Sequence, residues 1–198
     1  MKRINRIVLH ATACFILAAI SPFSRADTLQ LPQLMHLLAQ NKSGQASFVE
    51  KKYIAILDRP VVSTGKLAFV APSRLEKRTL TPKPETLVLN GDILTIDQPG
   101  RQQKMVSLGD HPEVTAFIES IRGTLAGDLT ALQTYYTIEL TGTTKQWLLV
   151  LTPKQERLGR IFSHIRIGGS DADVKTIELD QRDGDRSVMT ITGASVSR

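Results

Sequence analysis

The chain has 198 residues, one cysteine, 22% charged residues and a formal net charge of +6. That length suits a single domain, and one cysteine excludes a disulfide framework and a thiolate metal cage. The net charge does not point to nucleic acid, because much of it sits in a segment with its own explanation.

Residues 1–26 carry the marks of an export signal. Lys2, Arg3 and Arg6 precede an apolar stretch from Ile7 to Ile20, and Pro22 leads into the small-x-small site Ser24-Arg25-Ala26. The apolar part falls short of the about 20 residues a bilayer span requires. Cys14 lies inside it, with Phe-Ile-Leu-Ala-Ala-Ile after it instead of before it, which is the wrong place for a lipid anchor. Cleavage near Ala26 leaves 172 of the 198 residues, none of them cysteine, as one domain over 27–198. Four of the 25 basic residues leave with the signal, so 21 face 19 acidic ones and the net charge becomes +2. The expected product is a soluble, monomeric exported domain, periplasmic if the host is a Gram-negative bacterium, with no nucleic-acid partner.

After the signal, Leu29–Gln40 places Leu31, Leu34, Leu37 and Leu38 at helical spacing, with Pro32 in the first turn. The period then changes to two. Strands are expected over 47–57, 64–70, 74–80, 86–89, 93–97 and 102–108, with a tight hairpin at Asn90-Gly91. Pro112–Leu125 interrupts them with an apolar helical stripe of Val114, Phe117, Ile118, Ile121 and Leu125, and a shorter helix follows at Leu129–Tyr135. Five more strands are expected over 137–141, 146–152, 161–167, 174–181 and 186–192.

About eleven antiparallel strands with helical interruptions make the chain mainly β, and a sheet of that length must curl or split. Several strands, such as Leu67–Ala71, Leu87–Leu89 and Trp147–Leu151, are apolar on both faces, so something must cover the second one. A curved sheet with an apolar concave side, closed by the helical segments, answers this and tends to enclose a hollow.

Catalytic signals are absent: no Gly-x-Ser-x-Gly, no phosphate loop, no His-Glu-x-x-His. His36, His111 and His164 read as surface or capping residues, and the Asp-rich turns at 170–174 and 180–185 lack calcium-loop spacing. No catalytic residue, metal ligand or cofactor is therefore expected. Arg74, Lys77 and Arg78 form a basic strand, read as a solvated face or as a docking patch for an acidic partner.

The order of several stretches is distinctive. Ala-Ser-Phe-Val-Glu-Lys-Lys at 46–52 is followed by Ser-Thr-Gly-Lys-Leu-Ala-Phe-Val-Ala-Pro-Ser-Arg-Leu at 63–75. Pro-Glu-Thr-Leu-Val-Leu-Asn-Gly-Asp at 84–92, a helical insertion and Leu-Thr-Pro at 151–153 complete the frame. Over nearly the whole exported chain this resembles the periplasmic lipoprotein carrier LolA and its relatives. The resemblance implies an unclosed, strongly curved antiparallel barrel whose helices form a lid over an apolar cavity. It further implies a carrier that shields the acyl chains of a lipoprotein, taking them from an inner-membrane donor transporter to an outer-membrane acceptor.

Two departures accompany the resemblance. Carriers of this type have an arginine before the proline that latches the lid, where this chain has Ala71, and large aromatics after it, where this chain has Leu75 and Lys77. These point to a divergent LolA-related group whose cargo is another acylated or polyene lipid. The alternative on the same fold is an interaction or sensor module that binds a lipid or an envelope protein without net transport. Cavity residues are expected among Val49, Tyr53, Leu67, Phe69, Leu87, Leu89, Trp147, Leu149 and Leu151, with Val114, Phe117, Ile118 and Ile121 on the lid.

Overall fold

The computed structural model describes residues 28–197, so the expected signal segment lies outside the described residues. Six strands precede the helical insertion: β1 Ser43–Tyr53, β2 Val61–Val70, β3 Arg74–Thr81, β4 Glu85–Asn90, β5 Ile93–Asp97 and β6 Lys104–Ser107. Five follow it: β7 Tyr136–Thr143, β8 Gln146–Pro153, β9 Phe162–Ser170, β10 Asp173–Gln181 and β11 Arg186–Ser197. The helices are α1 Leu31–Ala39, α2 Pro112–Ala126, α3 Leu129–Tyr135 and α4 Glu156–Gly159. The last was not anticipated: Glu156–Gly159 is a single turn between two strands, too short to show a period.

All eleven strands form one antiparallel sheet in the order β6-β5-β4-β3-β2-β1-β11-β10-β9-β8-β7. Two meanders of neighbouring hairpins meet where β1 pairs with β11, while β6 and β7 remain edges, so the sheet is not closed. The mainly β, unclosed arrangement under helices agrees with the expected fold.

Directly paired residues in antiparallel strands project to the same face, so the register can be followed across the sheet. One row runs Leu149, Ile167, Ile177, Met189, Glu50, Ser63. Another runs Ala46, Leu67, Lys77, Leu87, Ile96. Both rows lie on the inward face.

Two halves of that face are covered differently. Over β7–β9, Trp147, Leu149, Leu151, Ile165 and Ile167 pack with Leu34, Met35 and Leu38 of α1, Leu132 of α3 and Leu158 of α4 into a dry core. The sheet accommodates the indole at Gly169, Trp147's cross-strand neighbour, where an added Cβ would lie 2.2 Å from Trp147 Cζ2. Over β1–β5, among the described residues, α2 is the helix that stands above the same face.

Helix α2 is held to the rest by its small and polar side. Ala116, Glu119, Ser120, Gly123 and Thr124 are buried, and the Tyr136 hydroxyl donates to the Ala116 carbonyl at 2.8 Å. Burial pushes the Tyr136 phenol well above its ordinary pKa, so it stays a donor. Gly127 ends the helix at φ 65°, and an added Cβ there would fall 2.1 Å from the Met35 carbonyl oxygen. Only glycine allows that close seat of α2 on the end of α1.

Candidate functional site

A helix that covers a core normally buries its largest apolar side chains. Helix α2 does the reverse. Its fully buried positions are small or polar, whereas Val114, Phe117, Ile118, Ile121 and Leu125 are only half-buried. These five side chains form the roof of a cavity of about 640 Å³.

The walls come from the inward faces of seven strands. Leu67 and Phe69 of β2, Leu75 of β3, Leu87 and Leu89 of β4 and Leu94 of β5 line one side. Ala46 of β1, Met189 and Ile191 of β11, and Val174, Ile177 and Leu179 of β10 line the other. Seven strands laid flat would span about 29 Å at the usual spacing, so a hollow this small can touch all of them only because the sheet wraps around it.

A buried charged group is set into this wall. The Glu50 carboxylate, 6% exposed, accepts from Lys77 Nζ at 2.6 Å and from the Ser187 hydroxyl at 2.7 Å. Burial alone would push its pKa up. The Lys77 ammonium and the hydrogen bonds from Lys77 and Ser187 outweigh that and hold it below the usual carboxylate value. Lys77 Nζ also stands 5.1 Å over the Phe48 ring. A charged pair satisfied within itself lets a carboxylate border an apolar hollow without an unmatched charge.

The roof has its own tie. Arg122 of α2 donates from Nη1 to the Gly91 carbonyl at 3.0 Å and lies 3.6 Å from Asp92, both on the β4–β5 turn, while pairing with buried Glu119. Where the carrier resemblance supplies a latch from the position of Ala71, this chain fastens its roof from the helix itself.

The expected site residues divide into three groups. Leu67, Phe69, Leu87, Leu89, Val114, Phe117, Ile118 and Ile121 line the cavity together, and Tyr53 lies at its rim. Trp147, Leu149 and Leu151 share the inward face but are at most 2% exposed, because α1 and α3 fill the space above them. Val49 does not reach the cavity: neighbouring Glu50 takes the inward face, which turns Val49 outward at 41% exposure.

Arg74, Lys77 and Arg78 do not form one patch. Strand alternation turns Lys77 inward to Glu50 and leaves Arg74 and Arg78 outside, each paired with Glu76. Ile177, Leu179, Met189 and Ile191 line the cavity without being among the expected site residues; their alternation with Glu178 and Thr190 marks them only as facing one side. Nothing in the sequence marked Glu50.

The fold and hollow define a half-barrel with a helical roof. Residues 24–197 match the family described as outer membrane lipoprotein carrier protein LolA-like, and the chain belongs to that family. Among curated proteins none matches it. Among solved structures, a LolA superfamily protein, NE2245 from Nitrosomonas europaea, is 10% identical with a TM-score of 0.46, over 86% of this chain and 94% of that one. The MucA/MucB complex of Pseudomonas aeruginosa is 13% identical with a TM-score of 0.49, over 85% of this chain and 57% of the other. LprF from Mycobacterium bovis is 10% identical with a TM-score of 0.32, over 85% of this chain and 96% of that one.

Proposed function

We propose that the chain, exported and cleaved near Ala26, is a soluble periplasmic carrier. It holds the hydrocarbon tail of a lipoprotein or other acylated or polyene lipid beneath α2 and passes it toward the outer membrane. The observation that carries this reading is the inverted α2, whose large apolar side chains roof a hollow instead of filling a core. A hollow of about 640 Å³ lies within the range of about 300–1,000 Å³ typical of pockets that enclose one small ligand, the scale of a single long tail. That capacity favours a cargo that shelters a single acyl or polyene chain at a time.

Each sheltered methylene contributes about 0.8 kcal/mol, so a full tail gains on the order of 10 kcal/mol over water. Transfer requires that this gain not be realised in full. Phe117, Ile118 and Ile121 take over part of the hollow when the tail leaves, which lowers the cost of release. The chemistry needed is enclosure alone, with no bond made or broken.

Mass spectrometry of the organic extract of protein purified from the periplasm tests this. The expected result is a tail-bearing lipid near one per protein, lost in Phe117→Asp. An extract without lipid, together with no uptake of a lipophilic dye, contradicts it.

A further inference from the structure

The least buried large apolar side chain among the described residues is Ile56, 90% exposed, in the turn between β1 and β2. Leu57 beside it is 48% exposed, and Tyr53, Val61 and Val62 at the base of the same hairpin are 43%, 39% and 44% exposed. The register places Val61 opposite Lys52 on one face of the hairpin and Val62 opposite Lys51 on the other, so each face carries an apolar and a basic side chain next to the tip. Isolated exposed apolar residues need no explanation; two adjacent ones at the tip of a turn, with more at its base, do.

The tip is built to keep this shape. The Leu57 N–H donates to the Ile54 carbonyl at 2.9 Å, closing the turn. The Ala55 N–H donates to Asp185 Oδ1 at 2.9 Å, bracing the turn against the β10–β11 connection. Ile56 is thus presented to solvent by a hydrogen-bonded turn. Tyr53 and Ile54, at its root, belong to the cavity lining.

We propose that this hairpin tip is a membrane-docking surface. Ile56 and Leu57 enter the headgroup layer of an anionic bilayer, while Lys51, Lys52 and Arg59 meet lipid phosphates. The charge supports that occupant. On this hairpin and its neighbouring turns, exposed Lys51, Lys52, Arg59, Lys83 and Arg182 outnumber Asp58, Asp183 and Asp185, although Lys52 also acts on Glu50, Arg182 donates to the Gly159 carbonyl and Asp185 is engaged by Ala55. An apolar tip ringed by basic residues matches the boundary between acyl chains and anionic headgroups. Continuity with the cavity gives the docking a purpose: a tail could cross between bilayer and hollow with little exposure to water. The inference goes beyond the carrier reading, and it concerns a surface that cavity binding does not require.

Co-sedimentation with vesicles tests it, using the chain from Asp27 onward, which contains every described element. Binding is expected to phosphatidylcholine vesicles containing phosphatidylglycerol and not to phosphatidylcholine alone. Ile56→Asp should weaken it at least about tenfold, and Arg59→Ala roughly fivefold. Met105→Asp, at another exposed apolar residue (70%) on edge strand β6, should leave it unchanged. Wild-type protein that ignores phosphatidylglycerol vesicles, or Ile56→Asp that binds them as well as wild type, overturns the proposal. A surface that captures a protein partner and no vesicle overturns it as well. Dye uptake by Ile56→Asp reads the cavity separately, so failure of docking and failure of the carrier reading are told apart.

Discussion

Arg122 and Gly91, 31 residues apart in sequence, are joined by a 3.0 Å hydrogen bond that ties the roof helix to the β4–β5 turn. The same guanidinium pairs with Glu119, which is 8% exposed, so losing Arg122 also strands a buried carboxylate. Arg122→Ala should destabilise the protein by about 2 kcal/mol. Its distinctive effect should be on α2: faster amide exchange there, and release of a bound lipophilic dye quickened roughly tenfold. Equal release rates in stopped-flow dilution would remove Arg122 as the latch.

The two halves of the inward face should respond differently to truncation. Leu149 is fully buried in the core half, and Leu149→Ala should cost about 3 kcal/mol. Leu67 already borders empty space, so Leu67→Ala should cost about 1 kcal/mol or less, because few neighbours lose contact. Urea unfolding of the two variants gives the comparison directly.

Glu50 makes stability depend on acidity. Its folded pKa lies below the ordinary value, so its contribution is fully present above the usual carboxylate range and is lost as pH falls through the folded value. Glu50→Gln should therefore be less stable than wild type by about 2 kcal/mol near neutrality, somewhat under the loss for a fully buried pair because Lys77 keeps some exposure. The gap should close below about pH 4. Thermal melts of both proteins across that range would show a constant gap if the Lys77 pair contributed nothing.

Gly169 leaves room for Trp147 and for no side chain of its own. Gly169→Ala should displace the indole and break its 3.0 Å bond to the Asp171 carbonyl, at a cost of about 3 kcal/mol. In a domain of this size that lowers Tm by roughly 6–12 °C, with a matching change in tryptophan emission, since Trp147 is the single tryptophan.

The strand count, the α2 stripe and the Asn90-Gly91 hairpin were legible because period and turn chemistry are local properties. The boundaries of β1 were not. Ser47–Leu57 reads as one apolar-rich run, yet the chain turns at Ile54–Leu57, where Ile56 and Leu57 look like strand residues and serve as an exposed tip. Which half of the sheet would be filled also escaped the sequence: Leu87 and Leu149 are equally apolar, and only the seats of α1 and α3 separate lining from core. Lys77 read as part of a basic surface because its partner, Glu50, lies 27 residues away on β1, which is separated from β3 by β2 in the sheet.

A fatty acid carrying a photoreactive diazirine near the end of its tail, irradiated with the protein and mapped by peptide mass spectrometry, reports where a tail sits. Labels on Leu67, Phe69, Leu87 and Phe117, with β7–β9 untouched, are the predicted result. Labels confined to the outer surface, or none above the level seen with Phe117→Asp, would contradict a tail-holding hollow.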